Sequence, residues 1–560
     1  MSGFKKLNSQ PLPWFTIGLA GVFLFCLALR FWGLGRFNTL VFDEVYYAKF
    51  ANNYLTHTRF FDGHPPLSKY LIAIGMWIGD RLPFGRDAMN SLAGSVHSTW
   101  SYRWLNALTG SFIPLVMAGI AYQLSYRKSY ALIAALLAAT DGIFLVDSRY
   151  ALNNVYLVIF GLLGQWFLLR ALERRGLGRR FWSALAAILQ RGLLRRRVRR
   201  GFWLTLAVIL RRGLLRWWRG RGLWLTLAGI GFGAAASVKW NGLGFLLGAY
   251  LIWLTAWALR LVRYFQSRAT AANPEVIQRK TALGYLTQLN AWHVLFYLAI
   301  IPAFFYWVEW IPHLQLNPRF DFWEVQSQIL AYHERVGDGP KVHPYCSHWY
   351  TWPLMLRPVA FFYATTQRLT DPLPVMGPPL PGIDGKVVYD VHDIGNPFLW
   401  WFSTVAILWL LWMLTHQFWI WVFALRFDVS TIRVSWQPFQ IQIALYLVLN
   451  WIANLLPWVK VTRCTFLYHY MESYVFAVLA FAWLVDHWLS SYRRDIRALG
   501  VTLVFIILLA FIYWMPIYLG LPLTPEGYHA RLPRFDIYLL PPWLSQRIPS
   551  WVNEWLINWI

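Results

Sequence analysis

Several short stretches of this chain combine residues that can move a proton with residues that can hold an anion. Phe42-Asp43-Glu44-Val45-Tyr46-Tyr47 sets two carboxylates side by side, and Asp62-Gly63-His64-Pro65-Pro66-Leu67-Ser68-Lys69 follows close behind. Pro65 and Pro66 stiffen the bend after His64. Arg103, in Ser101-Tyr102-Arg103-Trp104, can either hold a phosphate or reach for a polar boundary. Asp141, Asp147, Ser148 and Arg149 form a further group, and Lys460 with Arg463 another. Carboxylates gathered with guanidinium groups suit a reaction in which a weak nucleophile needs a base and the leaving group departs as an anion. Each group also has a plainer reading. An acidic pair can be a solvated face, a histidine at a proline bend can be structural, and an arginine can snorkel.

Tyr332-His333-Glu334, His343-Pro344-Tyr345 and Ser347-His348-Trp349-Tyr350-Thr351-Trp352-Pro353 add aromatic density. Such rings can stack on a sugar or pack on a membrane surface. His343, His348 and His469 lack tight ligand spacing, so no dedicated metal site is expected, and the need for a divalent metal stays open. Cys26, Cys346 and Cys464 are too few for a disulfide framework. Cys346 and Cys464 could pair if both face an oxidising side, but the odd total argues against it.

The elements that position these groups follow from composition. The 560 residues are 58% hydrophobic, 19% aromatic and 14% charged, against roughly 45–50% apolar and about 25% charged in soluble domains. The apolar residues come in runs of about 20, the length that crosses a ~30 Å hydrocarbon core. A polytopic, all-α membrane protein is expected, with eleven transmembrane helices starting near Trp14, Trp104, Tyr130, Val155, Leu223, Leu243, His293, Pro397, Gln440, Leu467 and Val501. No small-x-small cleavage site follows the first run, which reads as an uncleaved span.

A net charge of +26 would suggest nucleic acid in a soluble protein. Here nearly every dense cationic cluster falls in alternate loops on one side of the spans, as Lys and Arg in cytoplasmic loops do, so no nucleic-acid partner is expected. This places the N-terminus in the cytoplasm and the C-terminus outside. The outer face then receives a first loop of about 31–102, a short loop at Asp147–Asn154, a large loop at 311–396 and the tail 520–560, with shorter links at Lys239–Asn241 and Pro457–Thr465. Residues 1–519 form the expected membrane domain. Inside it, a basic insert at 174–222 repeats Phe181-Trp182, Phe202-Trp203 and Leu223-Trp224 at a spacing of 21. It reads either as amphipathic helices on the lipids of the inner leaflet or as a duplicated start of the fifth span.

The outer motifs resemble the protein O-mannosyltransferase family. Phe42-Asp43-Glu44 with His64-Pro65-Pro66-Leu67 is similar to its first outer loop, and Tyr102-Arg103-Trp104-Leu105-Asn106 to the start of its second span. Ser237-Val238-Lys239-Trp240-Asn241-Gly242 resembles its Lys-Trp segment. His343-Pro344-Tyr345 with Trp349-Tyr350-Thr351-Trp352-Pro353 resembles the large loop of its bacterial members. Gly395-Asn396-Pro397 and Phe466-Leu467-Tyr468-His469-Tyr470 open later spans as in the family. The likeness runs from about residue 14 to 519. It implies a GT-C type glycosyltransferase that moves mannose from a polyprenyl-phosphate carrier to Ser or Thr hydroxyls of translocated proteins, with inversion. Under that resemblance Asp43 is the general base and Glu44 positions it or the acceptor. Arg103, helped by Arg149 or Arg463, neutralises the departing phosphate. His64, Pro65, Pro66, Lys239, His343, Trp349 and His469 position loops and substrate. A bacterial plasma membrane, membrane lipids, a polyprenyl-phosphate-mannose donor and a secreted or membrane protein acceptor are implied, with room for a dimer or translocon association and no required cofactor.

Two departures stand out. The large loop is too short for the soluble insert of eukaryotic members, and Asn153-Asn154 stands where members often carry an aspartate about six residues beyond the serine. A lipid or glycan acceptor on the same fold is the alternative reading. A transporter or flippase fits less well, because the spans hold few ionisable groups near their midpoints and no inverted repeat.

Overall fold

The computed structural model describes residues 13–173, 220–270, 282–339, 342–368, 370–371, 387–427, 438–534 and 557–559. Of the basic insert expected at 174–222, residues 174–219 lie outside the described residues, as do 535–556 of the expected tail. Helices dominate because a backbone in hydrocarbon must satisfy its own N–H and C=O groups. In chain order they are α1 (Trp14–Phe31), α2 (Glu44–Leu55), α3 (Leu67–Gly79), α4 (Thr99–Ser125), α5 (Lys128–Ala139), α6 (Gly142–Arg149), α7 (Asn154–Glu173) and α8 (Arg221–Val238). After them come α9 (Leu243–Thr270), α10 (Ala291–Leu316, with a π-helical stretch at Val294–Ile300), α11 (Phe322–Arg335), α12 (Pro397–Phe427), α13 (Pro438–Leu455), α14 (Met471–Leu489) and α15 (Arg494–Leu519).

Among the described residues, nine helices are long and apolar enough to cross a membrane, and α5 with α6 makes a tenth if the bent pair is one span. The chain is a multi-span membrane protein. The helix at the remaining expected position, α14, has Glu472 and Asp486 near its two ends and is buried along most of its length. The 58° bend between α5 and α6 has a local cause. Thr140 leaves helical geometry, and Asp141 adopts an extended backbone whose carboxylate accepts the Ile143 and Phe144 N–H groups. The same carboxylate accepts the Asn396 N–H at 3.0 Å and the Tyr474 hydroxyl at 2.9 Å, tying the bend to α12 and α14.

Close approach of α7 and α8 depends on small residues, as helix pairs in lipid usually do. A Cβ on Gly231 would lie 2.8 Å from the Gly164 backbone nitrogen. This packing sets Asn154, the first residue of α7, beside Lys239, which follows the last residue of α8.

The segment between α1 and α4 is compact. Lys69 forms an ion pair with Asp62 and donates to the carbonyls of His64 and Pro65, at 2.9 and 2.6 Å, which clamps the proline bend onto α3. A short hairpin, β1 (Met89–Asn90) with β2 (His97–Ser98), leads into α4. The segment between α10 and α12 carries α11 and a second hairpin, β3 (Val359–Thr366) with β4 (Val387–Asp393), antiparallel with a bulge near Ala360 and Phe362.

One expectation is corrected here. Cys346 and Cys464 form a disulfide, joining the large loop to the link before α14. The odd count misleads because Cys26 is buried in α1. Backbone bonds reinforce the junction: Ser347 donates to the Thr465 carbonyl and Cys464 to the Gly337 carbonyl, both at 2.8 Å. The bridged residues are 118 apart in sequence, a closure worth about 4–5 kcal/mol on the chain-entropy account. Replacing both cysteines by serine should therefore lower the thermal midpoint in detergent, and added reductant should lower the wild-type midpoint to match.

Candidate active site

Asp43 owes its position to an uncommon backbone. Phe42, immediately before it, has φ +50°, a left-handed conformation that costs a bulky residue of order 1–3 kcal/mol unless packing enforces it. Packing does so. The Phe42 ring stacks on Phe361 at 4.5 Å and meets the edges of His343, Phe466 and Tyr468. The chain thereby turns so that half-buried Asp43 precedes α2 and reaches into a cavity of about 510 Å³. Burial raises its pKa to about 6, with Lys239 opposing the shift and Asp62 adding to it.

Glu44 points the other way and is saturated. Its Oε2 accepts the Val41 N–H at 2.8 Å and Arg103 at 2.7 Å, while its Oε1 accepts Arg103 and the Ala151 N–H, both at 2.8 Å. Arg103 spends its remaining donors on the carbonyls of Leu34, Phe37 and Thr39 at 2.8–3.1 Å. All five of its N–H groups are used, and both side chains have 0% exposure. Arg149 donates to the carbonyls of Leu29, Arg30, Trp32 and Gly33. Glu44, Arg103 and Arg149 line neither part of the cleft. The donors of Arg103 go to Glu44 and to carbonyls of the segment after α1, and the terminal nitrogens of Arg149 go to carbonyls from Leu29 to Gly33, so both guanidinium groups serve the fold away from the cleft.

The cleft has two connected parts. The first, about 510 Å³, holds Asp43, Asp62, Tyr46, Tyr332 and His343. The second, about 560 Å³, runs along Leu243, Gly244 and Leu247 of α9 to Trp458 and Lys460. His64, Lys239, His333, Arg463 and His469 line both. Leu243 and Leu247 are exposed on a helix able to cross a membrane, so this second part has an apolar flank toward lipid.

Lys239 is 4% exposed. It donates to Asn154 Oδ1 at 2.7 Å and lies 5.2 Å from the Tyr468 ring centroid. The Arg463 guanidinium donates to the Cys464 carbonyl at 3.0 Å beside the disulfide. His64 packs 5.3 Å from His333, whose Nε2 donates to the Gly63 carbonyl. Burial and the nearby Lys239 push His64 well below its usual range, and burial with Arg463 pushes His333 down to about 4, so both rings are neutral near pH 7. Pro65 lines the second part and Pro66 precedes α3. Trp349 packs against Tyr350 and the core and lines neither part.

Sequence reasoning missed three groups. His333 completes the wall between the two parts, although its Tyr-His-Glu setting marked it only as aromatic. Glu472 accepts from the Asn241 amide at 2.5 Å, is buried, and acts electrostatically on Lys239. Asp393 ends β4 with 0% exposure and, among the described residues, no hydrogen-bond partner for either oxygen. A carboxylate inside an apolar run was the only available signal for Glu472. Among the described residues, no group of three or more His, Cys, Asp or Glu is placed to hold a metal ion.

Residues 21–193 match the family model for dolichyl-phosphate-mannose-protein mannosyltransferase, and residues 319–533 match that for the C-terminal four-transmembrane region of protein O-mannosyltransferase. The chain belongs to the protein O-mannosyltransferase family. Its similarity to the polyprenol-phosphate-mannose–protein mannosyltransferase of Mycolicibacterium smegmatis is 24% identity over 92% of this chain and 90% of that one. Similarity to dolichyl-phosphate-mannose–protein mannosyltransferase 4 of Saccharomyces cerevisiae is 32% over 27% of this chain, and the match spans only 20% of that relative's length. In three dimensions the chain resembles a chain of the S. cerevisiae Pmt1-Pmt2 complex bound to the sugar donor, with TM-score 0.63, 14% identity and coverage of 93% and 92%. That likeness shows a shared GT-C fold.

Within this mannosyltransferase fold the arginines divide into two kinds. Removing one partner of a buried ion pair costs about 3–5 kcal/mol because the other is stranded. Arg103→Ala should therefore sharply lower the thermal midpoint, whereas Arg463→Ala, at the cleft wall, should leave it within a few degrees of wild type. Differential scanning fluorimetry on the purified proteins distinguishes them.

Proposed function

We propose that this chain transfers mannose from a polyprenyl-phosphate carrier to Ser or Thr hydroxyls of translocated proteins, at the outer face of the plasma membrane and with inversion at the anomeric carbon. One observation carries the reading: Asp43, Lys239 and Arg463 share the wall of a cleft whose second part runs along a lipid-exposed helix. The isoprenoid chain lies against Leu243 and Leu247, which leaves the phosphate beside the two cations. The acceptor enters the aromatic part beside Asp43.

The Asp43 carboxylate takes the proton of the acceptor hydroxyl, which is a poor nucleophile without a base. The hydroxyl oxygen bonds to the anomeric carbon as that carbon's bond to the phosphate oxygen breaks. The electron pair leaves with polyprenyl phosphate, where Lys239 and Arg463 meet the developing charge. Glu44 and Arg103 act from behind, holding the start of α2 and so the aim of Asp43. His64, His333 and His469, with the Pro65-Pro66 bend and His343, shape the passage between the two parts.

The base must be ionised to act. With its pKa raised to about 6, Asp43 is deprotonated at pH 7 and gains its proton as pH falls through 6. Transfer from polyprenyl-phosphate-mannose to a Ser/Thr-rich peptide should accordingly fall with an acid limb near pH 6. Asp43→Asn should abolish transfer at every pH while leaving the thermal midpoint close to wild type. Full activity in that variant would remove Asp43 from the mechanism, and a product stable to β-elimination would remove the Ser/Thr acceptor.

A further inference from the structure

Lys239 has an unusual electrostatic setting. It is buried, it touches both parts of the cleft, and among the described residues it makes no ion pair. Its ammonium gives one proton to Asn154 Oδ1 at 2.7 Å, and the Asn154 amide gives one to Asp147 Oδ1 at 3.1 Å. Asp147 has 0% exposure, and its Oδ2 has no hydrogen-bond partner among the described residues. A carboxylate therefore reaches the ammonium through a neutral amide, within a fully buried row.

We infer that Asp147, acting through Asn154, is a positioning residue that holds Lys239 charged and leaves its free protons turned to the donor phosphate; this rests on the function proposed above. The amide is the essential link. A carboxylate in direct contact would neutralise the lysine and compete with the phosphate. An apolar contact would leave a buried cation without support, at a cost of several kcal/mol. An amide passes the field of Asp147 along two hydrogen bonds and fixes the ammonium in place, while two of its three N–H groups remain for the ligand.

The framework around the row is rigid. Asp141 caps α6 at one end, and at the other Ser148 receives the Arg30 Nε–H at 2.8 Å, so Asp147 is held against α1. The glycine packing of α7 on α8 fixes Asn154 against Lys239. The charged and titratable groups facing Lys239 are Asp43 from the first outer segment, Asp147 from α6, Glu472 from α14 and Arg463 from the link before it. His64, His333, His469 and Tyr468 complete its surroundings. Burial brings the Lys239 ammonium down to about 8, and Asp43, Glu472 and Asp147 oppose that fall.

The sign of the effect follows. Removing the Asp147 charge lets Lys239 lose its proton at lower pH, so a variant should bind an anionic ligand normally in acid and poorly in alkali. The test measures the affinity of polyprenyl phosphate for wild type, Asp147→Asn and Asn154→Leu between pH 6 and 9, by quenching of intrinsic tryptophan fluorescence. Both substitutions nearly conserve size, and the thermal midpoint confirms folding. The ratio of wild-type to variant affinity should grow from about one at pH 6 to on the order of tenfold above pH 8, the factor that one pKa unit gives. Asp147→Glu should restore most of the alkaline affinity. A ratio that is large but constant across the pH range would mean a merely structural role and overturns the inference, as does a ratio of one throughout. Wild type that fails to bind polyprenyl phosphate at any pH would overturn the proposed function itself.

Discussion

The buried pair of Glu44 and Arg103 is the constraint on which the half of the molecule around the cleft is built. Both groups are wholly removed from water, and bringing two such ions into a low-dielectric interior is repaid only when every donor and acceptor is matched. Here they are matched by geometry that no local preference supplies. The guanidinium gathers three carbonyls from the irregular chain after α1, and the carboxylate gathers N–H groups from Val41 and Ala151. One ion pair therefore fastens the exit of α1, the start of α2, the start of α4 and the turn before α7. Any of these could shift only by stranding a charge. The strained turn at Phe42 persists because that frame and the aromatic cluster around its ring leave it no alternative.

From that frame the division of labour between adjacent acids becomes clear. Asp43 and Glu44 differ by one position, yet the turn sends one to solvent in the cleft and the other to the ion pair. Two carboxylates side by side in sequence are thus set in two different environments, one in the cleft and one in a buried ion pair. Glu44 is a fixed point, and Asp43, on the other side of the same backbone, is the one left open to the cleft. The same contrast holds among the cations. Arg103 is spent on Glu44 and three carbonyls and Arg149 binds four carbonyls, both away from the cleft, whereas Lys239 and Arg463 line it.

Much of this was legible in the sequence, and the limits have physical causes. Helices stand at the expected positions because a run of about 20 apolar residues has few other options in hydrocarbon. Asp43, His64, Lys239, Arg463 and His469, scattered over more than 400 residues of sequence, could be assigned to one face from loop charge alone, and they meet at one cleft. The use of an arginine could not be read this way. Whether a guanidinium binds a ligand or a loop depends on where carbonyls of other segments fall, and Arg103 takes three that lie more than 60 residues away. Parity hid the disulfide, since an odd count says nothing about which cysteine is buried alone. Glu472 and Asp393 were hidden by the apolar company that buries them.

A cleft of this kind must serve two media at once. On the proposed function its aromatic part would receive a polar chain from water while its other part lies along an apolar helix face, and the reacting bond would sit where neither solvent dominates. Free cations at such a boundary would be drawn into ion pairs with the nearest acids, and free acids would be protonated. Three carboxylates act on Lys239 electrostatically without touching it, and Arg463 is tethered beside a covalent cross-link. The arrangement keeps charges apart that would otherwise cancel, at a cost in stability met by the apolar packing of the surrounding helices. Asp147, Asp393 and Glu472 each keep a buried oxygen without a hydrogen-bond partner among the described residues, as charges held apart in this way leave them.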